Sequence, residues 1–327
     1  MAKKILVTGC NGFIGTNFVN LVTETEPDTK IVNIDCLDFE ISKDNHNDKG
    51  SNYEFVHGSI LDKELLEELF KKHKFSQVVN FAANSHVDNS ITNPEAFIEN
   101  NIIGTQRLLD VALKSEIELF LHISTDEVYG SLDFNSPATT EASQIQPNNP
   151  YSASKAGADC LVRSYHKTFK LPAIITRSSN NFGPYQYPEK LIPVVISNAL
   201  SNKEIPVYGK GENVRDWIYA RENCRAIKTV IEKGNIGEVY NIPGYEEINN
   251  LELVTLILDI LGKPKSLITF VEDRKGHDLR YCMDGSKLKS LGFRYDENFR
   301  KQLEDTISWY QENNNWLLVK PIEAKAA

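Results

Sequence analysis

Ile5-Leu6-Val7-Thr8-Gly9-Cys10-Asn11-Gly12-Phe13-Ile14-Gly15 reads as a short apolar strand that passes through a glycine turn into a helix beginning near Phe13. Gly9, Gly12 and Gly15 are spaced GxxGxxG. Glycine lets a backbone approach a pyrophosphate, and the first turn of a helix supplies free amides and partial positive charge. Such spacing is weak by itself, but between a strand and a helix it points to dinucleotide binding. Asp35 closes the next strand, 26 residues after Gly9. A carboxylate there can hold both ribose hydroxyls of NAD; the plainer alternative is a strand-end cap. Residues 36–40 contain no Arg or Lys to receive a 2′-phosphate, which favours NAD over NADP.

Outward from that turn, strand-like runs alternate with amphipathic stretches. Further strands are expected at Ile31–Ile34, Tyr53–Val56, Val78–Phe81, Leu119–Ile123 and Ala173–Thr176. Helices are expected over Leu61–His73, Pro94–Lys114 and Tyr151–Phe169. This alternation predicts an α/β fold, a Rossmann-type doubly wound parallel sheet. After Arg177 the rhythm breaks in SSNNFGPYQYPEK, before a helix over Leu191–Asn202. We therefore expect a Rossmann domain over 1–177 carrying the catalytic residues. Residues 178–327 should form a smaller, mixed α/β C-terminal substrate domain, with some chain returning to the sheet. The polar stretch 36–52 reads as a mobile loop.

Bulk properties narrow the function. The chain has 327 residues, 41% hydrophobic and 25% charged, enough for a large core. A formal net charge of -9 argues against nucleic acid or an anionic membrane surface as partner. Five scattered cysteines (Cys10, Cys36, Cys160, Cys224, Cys282) with no CxxC pair suggest neither a disulfide framework nor a zinc site. No metal site is expected, and reduced thiols fit a cytoplasmic setting. Neither a signal peptide nor a membrane span is visible.

Ser124-Thr125-Asp126-Glu127-Val128-Tyr129-Gly130 follows the strand at Leu119. Two adjacent carboxylates there are costly to bury unless paired or hydrogen-bonded. Adjacent residues of a regular strand face opposite sides, so both can serve one site only if the strand ends or bends at Thr125. One helix later, Tyr151 and Lys155 lie four apart on one face. A phenol of pKa near 10 is a poor base at neutral pH, and a neighbouring ammonium favours its phenolate. Tyr-x-x-x-Lys is common by chance; after TGCNGFIG and STDEVYG it carries weight.

Together with FAANSHVDNSI, NIIGTQRLL, RSSNNFGPYQYPEKLIP, VYGKGENVRDWIY and DRKGHDLRY, these segments run almost end to end. On them the chain resembles the extended short-chain dehydrogenase/reductases and, within that group, the dTDP-glucose 4,6-dehydratases. The resemblance implies catalysis by Thr125, Asp126, Glu127, Tyr151 and Lys155. Tyr151 would take the C4 hydroxyl proton, Glu127 the C5 proton, and Asp126 would protonate the departing C6 hydroxyl. It implies NAD binding by Gly9, Asn11, Gly12, Phe13, Ile14, Gly15, Asp35, Ser59, Ile60, Ala82 and Ala83 with Tyr151 and Lys155. It implies a nucleotide sugar held by Ser85 and His86 at the sugar and by Asn180, Lys190 and Leu191 near the phosphates. Pro206 and Tyr208 would meet the base, while Arg215, Asn250, Arg274 and His277 hold the nucleotide. A homodimer is also implied, through helical stretches at about 94–114 and 151–169. Ser59 stands where the family has an aspartate that reaches the adenine, which removes one expected cofactor contact; Asn84 stands where it has a glutamate and Asn89 where it has an arginine, leaving the nucleotide and sugar open.

UDP- or another NDP-glucose is the first alternative, since uridine and thymidine differ by one methyl, worth about 1–3 kcal/mol in a fitted pocket. A 4-epimerase or decarboxylase would share the cofactor turn and the Tyr/Lys pair but needs no Asp-Glu. A noncatalytic NAD-binding scaffold is the rival from another class.

Overall fold

In the computed structural model, residues 3–37, 45–46, 49–273, 277–296 and 298–318 are described. In the first half β1 (Lys4–Thr8), α1 (Phe13–Thr25), β2 (Lys30–Asp35), β3 (Tyr53–His57), α2 (Lys63–His73) and β4 (Gln77–Asn80) alternate as expected. Then come α3 (Val87–Thr92), α4 (Pro94–Phe97), α5 (Thr105–Lys114), β5 (Leu119–Thr125), α6 (Pro150–Phe169) and β6 (Ala173–Ser178). The second half contributes β7 (Asn180–Phe182), α7 (Leu191–Leu200), β8 (Ile205–Tyr208), β9 (Val214–Tyr219), α8 (Ala220–Lys233) and β10 (Val239–Ile242). It ends with β11 (Glu247–Asn249), α9 (Asn250–Leu261), β12 (Ile268–Val271), α10 (Ser286–Ser290) and α11 (Phe299–Glu312).

Seven strands form one parallel sheet in the order β10-β6-β5-β4-β1-β2-β3. Order reverses between β1 and β4, which opens a crevice at the carboxyl edge. Strand alternation divides the core. Ile5 and Val7 pack with α1 and α8 on one face, and Leu6 packs with α2, α5 and α6 on the other. Full burial of each such side chain contributes about 1.5–3 kcal/mol. A third core joins α7, α9 and α11 around Phe182 and Trp217. There β11-β9-β7 and β12-β8 form small sheets, while β10 returns to the large one.

Two expectations change. The helix expected over 94–114 is composite: α4 and α5 are joined by a π-helical segment, Ile98–Gly104. The wider turn places Asn101 inward, 1% exposed, where its Nδ2 donates to Ser154 Oγ on α6 at 2.8 Å and to Asn84 O at 3.0 Å. Within the 36–52 stretch, Asn45 and His46 are seated on the glycine turn. Asn45 Nδ2 donates to Asn11 O at 2.8 Å, and His46 Nε2 lies 2.7 Å from Cys10 O. Residues 38–44 and 47–48 of the expected mobile loop lie outside the described residues. All five cysteines are free thiols.

Candidate active site

The strand ends of the parallel sheet gather the expected residues. After β1, Gly9 turns with φ +68°, and a Cβ there would lie 2.7 Å from Ala82 Cα. Gly12 caps α1 without any side-chain hydrogen bond, and the first turn holds no acidic residue. Its amides are therefore left for an anion, which suits the pyrophosphate of NAD. Asp35, at the end of β2, accepts from Asn11 N at 2.8 Å and Leu37 N at 2.9 Å. That fixes its carboxylate beside the glycine turn, where the ribose hydroxyls of a dinucleotide would lie. Phe13 and Ile14 open α1, Ser59 and Ile60 follow β3, and Ala82 and Ala83 follow β4. Ser59 Oγ accepts from Leu61 N at 3.1 Å, a local turn bond. The cradle and the donor set fit a dinucleotide.

β5 ends at Thr125, and Asp126–Tyr129 form one 3₁₀ turn, so the bend that lets both carboxylates serve one site is present. Thr125 Oγ1 accepts from Glu127 N at 3.3 Å and lies 3.1 Å from Asp126 Oδ1. Gly130 closes the turn at φ +80°, where a Cβ would meet Gln146 O at 2.2 Å. Opposite, α6 begins at Asn149 and brings Tyr151 and Lys155 inward, both buried. Lys155 Nζ donates to Ile123 O at 2.7 Å.

Electrostatics separate the two carboxyls. Burial, then the charges of Glu127 and Asp216, push Asp126 well above the usual carboxylate range. Its Oδ2 has no hydrogen-bond partner. Burial also raises Glu127, but an Asn149 hydrogen bond and the charges of Arg215 and Lys190 oppose that. Asn149 Nδ2 donates to Glu127 Oε2 at 3.3 Å. Lys155 is lowered by burial to about 8, with Asp159 opposing, so it stays charged at neutral pH. In the chain alone, burial and then the Glu127 charge raise Tyr151, the neighbouring Thr125 hydroxyl pulling the other way.

The substrate residues divide into two groups. Near the catalytic turn, Lys190 Nζ donates to Ser85 O at 2.9 Å, joining the start of α7 to the loop after β4. His86 caps α3, its Nδ1 accepting from Asn89 N at 3.4 Å. Asn84 turns its Nδ2 to Ala96 O at 3.1 Å. Asn180 lies on β7 with Oδ1 buried and unpartnered, and Leu191 opens α7. Arg215, on β9, is anchored by donating to Val214 O at 2.8 Å and Asp278 O at 3.0 Å, with its guanidinium 4.4 Å from the Tyr281 ring centroid. Farther out, Tyr208 and His277 meet edge-on with centroids 6.3 Å apart, and His277 Nδ1 lies 2.6 Å from Asp273 Oδ1. Pro206 is on β8 and Asn250 opens α9; neither hydrogen-bonds to the catalytic turn. Arg274 lies outside the described residues.

Sequence reading passed over Asn149, Asp278 and Tyr281. An Asn-Pro pair opening a helix signals a cap, while Asp278 and Tyr281 sit within GHDLRY, from which only His277 was taken. Among the described residues no cluster could hold a metal ion, and no helix is long and apolar enough to cross a membrane.

A parallel sheet with a glycine turn after β1 and an inward Tyr-x-x-x-Lys pair on α6 defines an extended short-chain dehydrogenase/reductase. The family model described as GDP-mannose 4,6 dehydratase matches residues 6–306, and the chain belongs to that family. It is 48% identical to the low-salt glycan biosynthesis protein Agl12 of Haloferax volcanii, over 94% of this chain and 98% of that protein. It is 43% identical to a dTDP-glucose 4,6-dehydratase of Actinoplanes sp., over 96% of this chain and 99% of that one. It superposes on the dTDP-glucose 4,6-dehydratase DesIV of Streptomyces venezuelae, solved with NAD and dTDP bound, with a TM-score of 0.91 and 44% identity, covering 96% and 98% of the two chains.

Proposed function

We propose that this chain is an NAD-dependent NDP-sugar 4,6-dehydratase, converting dTDP-glucose to dTDP-4-keto-6-deoxyglucose. The observation that carries the reading is the Asp126-Glu127 pair, the first buried and the second half-buried, on one 3₁₀ turn facing Tyr151. An epimerase has no use for it.

Losing water across C5 and C6 is difficult because the C5 hydrogen is not acidic until C4 is a ketone. The chemistry that bound NAD supplies is acceptance of the C4 hydride and its return to C6. The glycine turn and Asp35 would hold that cofactor. Thr125 hydrogen-bonds the C4 oxygen, and Tyr151 receives its proton. Burial and the Glu127 charge oppose that ionisation, so it depends on positive charge beside the phenol, of which Lys155 is the chain's own source. Glu127, the carboxyl with a hydrogen-bond donor and two nearby cations, takes the C5 proton and gives a proton back to C5 when C6 is reduced. Asp126, its carboxyl pushed up by burial and by the Glu127 charge, gives a proton to the departing C6 hydroxyl. Acid and base need different protonation states at one pH, and the donor and cations around Glu127 against the bare Oδ2 of Asp126 work in that direction.

Around this centre, residues 1–177 serve cofactor and catalysis, and 178–327 mainly serve the sugar nucleotide. Lys190 and Arg215 supply positive charge for the diphosphate, and Tyr208 packs on the base. The same reading takes the protein as a cytoplasmic homodimer paired through the helical faces at 94–114 and 151–169. A monomeric mass across a wide concentration range would remove the dimer.

The test is product analysis with dTDP-[4-²H]glucose and no added reductant, beside UDP-glucose and CDP-glucose. Deuterium at C6 of a 4-keto-6-deoxy sugar is expected, with dTDP-glucose turned over fastest. An unchanged sugar skeleton with inverted C4 would overturn the dehydratase reading.

A further inference from the structure

The helix that carries Tyr151 and Lys155 starts at an asparagine whose two amide ends are both engaged. Asn149 Oδ1 accepts from Ser152 N at 2.9 Å, and Asn149 N donates to Ser152 Oγ at 3.3 Å, a reciprocal capping box. The other end, Nδ2, donates to Glu127 Oε2 at 3.3 Å. Because the amide is planar, fixing Oδ1 on the helix fixes where Nδ2 points. Capping alone does not ask for asparagine: Ser or Asp supplies the acceptor about equally well. Neither offers an N–H held rigidly opposite that acceptor. The helix uses one end of the side chain, and the carboxylate uses the other.

We infer that Asn149 is a positioning residue for proton abstraction, its Nδ2 group holding Glu127 as an ionised acceptor and tying its orientation to the start of the Tyr151 helix. The inference rests on the dehydratase reading. Charged and titratable groups face Glu127 from each neighbouring element. They are Asp126 on its own turn, Tyr151 on α6, Lys190 before α7, Arg215 on β9, and Asp278 and Tyr281 in the stretch before α10. The cations there are committed elsewhere: Lys190 Nζ to Ser85 O, Arg215 to Asp278 O and Val214 O. Among the described residues, the hydrogen bond to the Glu127 carboxylate comes from Asn149. Asp126, one residue away, has nothing equivalent on Oδ2. That amide is thus the hydrogen-bonding part of the difference between base and acid.

Two capping variants separate this role from helix capping. Asn149→Ser keeps an acceptor for Ser152 N and loses the amide N–H that reaches Glu127, its shorter hydroxyl ending at the cap. Asn149→Asp keeps the acceptor and sets a carboxylate against Glu127. Both should leave the unfolding midpoint close to wild type and move the acid limb of kcat to higher pH, Asn149→Asp farther. Turnover at pH 7 should fall roughly ten- to hundredfold, the weight of one hydrogen bond to a charged group. KM should change little. Solvent deuterium should enter C5 more slowly in step with kcat, while the isotope effect at C4 shrinks because hydride transfer is spared. A ¹³C-carboxyl titration of Glu127 reads the same shift without substrate and is expected to rise in both variants. Wild-type titration, pH profile and C5 exchange in both variants would reduce Asn149 to a helix cap and overturn the inference. Wild-type enzyme that does not dehydrate dTDP-glucose would instead sink the functional reading, and that is seen before any variant is compared.

Discussion

Asp126 and Asp159 are both buried carboxyls of the catalytic half, 4% and 2% exposed, and they are treated in opposite ways. Asp159 Oδ2 accepts from Arg177 Nε at 2.9 Å. Arg177 Nη1 continues to the Tyr129 hydroxyl at 2.8 Å, which donates to Asn241 Oδ1 at 2.7 Å. Asp159 Oδ1 looks toward His122 Nε2 at 3.7 Å. Each has one buried oxygen without a hydrogen bond, Oδ1 of Asp159 and Oδ2 of Asp126, but the other oxygen of Asp126 meets only the Thr125 hydroxyl. Burial raises both. At Asp159 the Arg177 charge opposes it, whereas at Asp126 the Glu127 charge adds to it. A fold that pairs one buried carboxyl directly with a guanidinium, and leaves the other only the charge of an Arg215 that makes no hydrogen bond to it, is reserving the second for chemistry.

The largest effect expected from this contrast lies on the catalytic side. Glu127→Gln should cut turnover by about 10²–10⁴-fold, the usual weight of a positioned general base. Solvent exchange at C5 should vanish while the unfolding midpoint stays near wild type. Turnover within a fewfold of wild type would remove Glu127 from the base role.

On the paired side the effect moves to stability. Arg177→Met leaves Asp159 charged and unpaired in the sheet core, a loss of about 3–5 kcal/mol by urea unfolding. A loss below about 1 kcal/mol would show that Asp159 does not depend on its guanidinium, and the contrast with Asp126 would collapse.

Asp216 sharpens the comparison as an intermediate case, satisfied mainly by backbone amides and by no cation. It accepts from Gly244 N at 2.8 Å and Glu246 N at 2.9 Å. Burial nevertheless lifts it from 3.8 to about 6. Between those values the folded state binds the extra proton, so stability is highest below the lower value and falls as pH rises through the upper. The integrated loss is about 3 kcal/mol. Unfolding measured from pH 4 to pH 7 should lose less stability in Asp216→Asn than in wild type, by about that amount.

Much of this was legible in the sequence because it is local. Strand alternation, the TGCNGFIG turn, the Tyr151-Lys155 spacing and the end of β5 at Thr125 all follow from short-range pattern. The π-helical segment was not legible. A one-residue widening leaves apolar spacing over 94–114 nearly unchanged, although it brings Asn101 to Ser154. Nor was the raised Tyr151 phenol, since the opposing charge of Glu127 reaches it only in three dimensions. The Arg215-Asp278-Tyr281 cluster joins residues more than sixty apart in the chain, and no spacing rule connects them.

The smallest expected effect is the most exacting. If Asp126 carries its proton in the folded state at neutral pH, then Asp126→Asn exchanges one neutral group for another of the same shape. Such a swap should change stability at pH 7 by less than about 1.5 kcal/mol, while dehydration slows markedly for want of an acid at C6. The pH dependence gives the sign. A carboxyl whose folded value lies above 3.8 favours the native state most at low pH and loses that advantage as pH rises through its folded value. Wild type minus Asp126→Asn should therefore decline with rising pH. A difference that grows with pH would mean that a charged Asp126 is stabilised in the fold, as a paired carboxylate would be. Asp126 would then belong with Asp159, and the acid at C6 would have to be sought elsewhere.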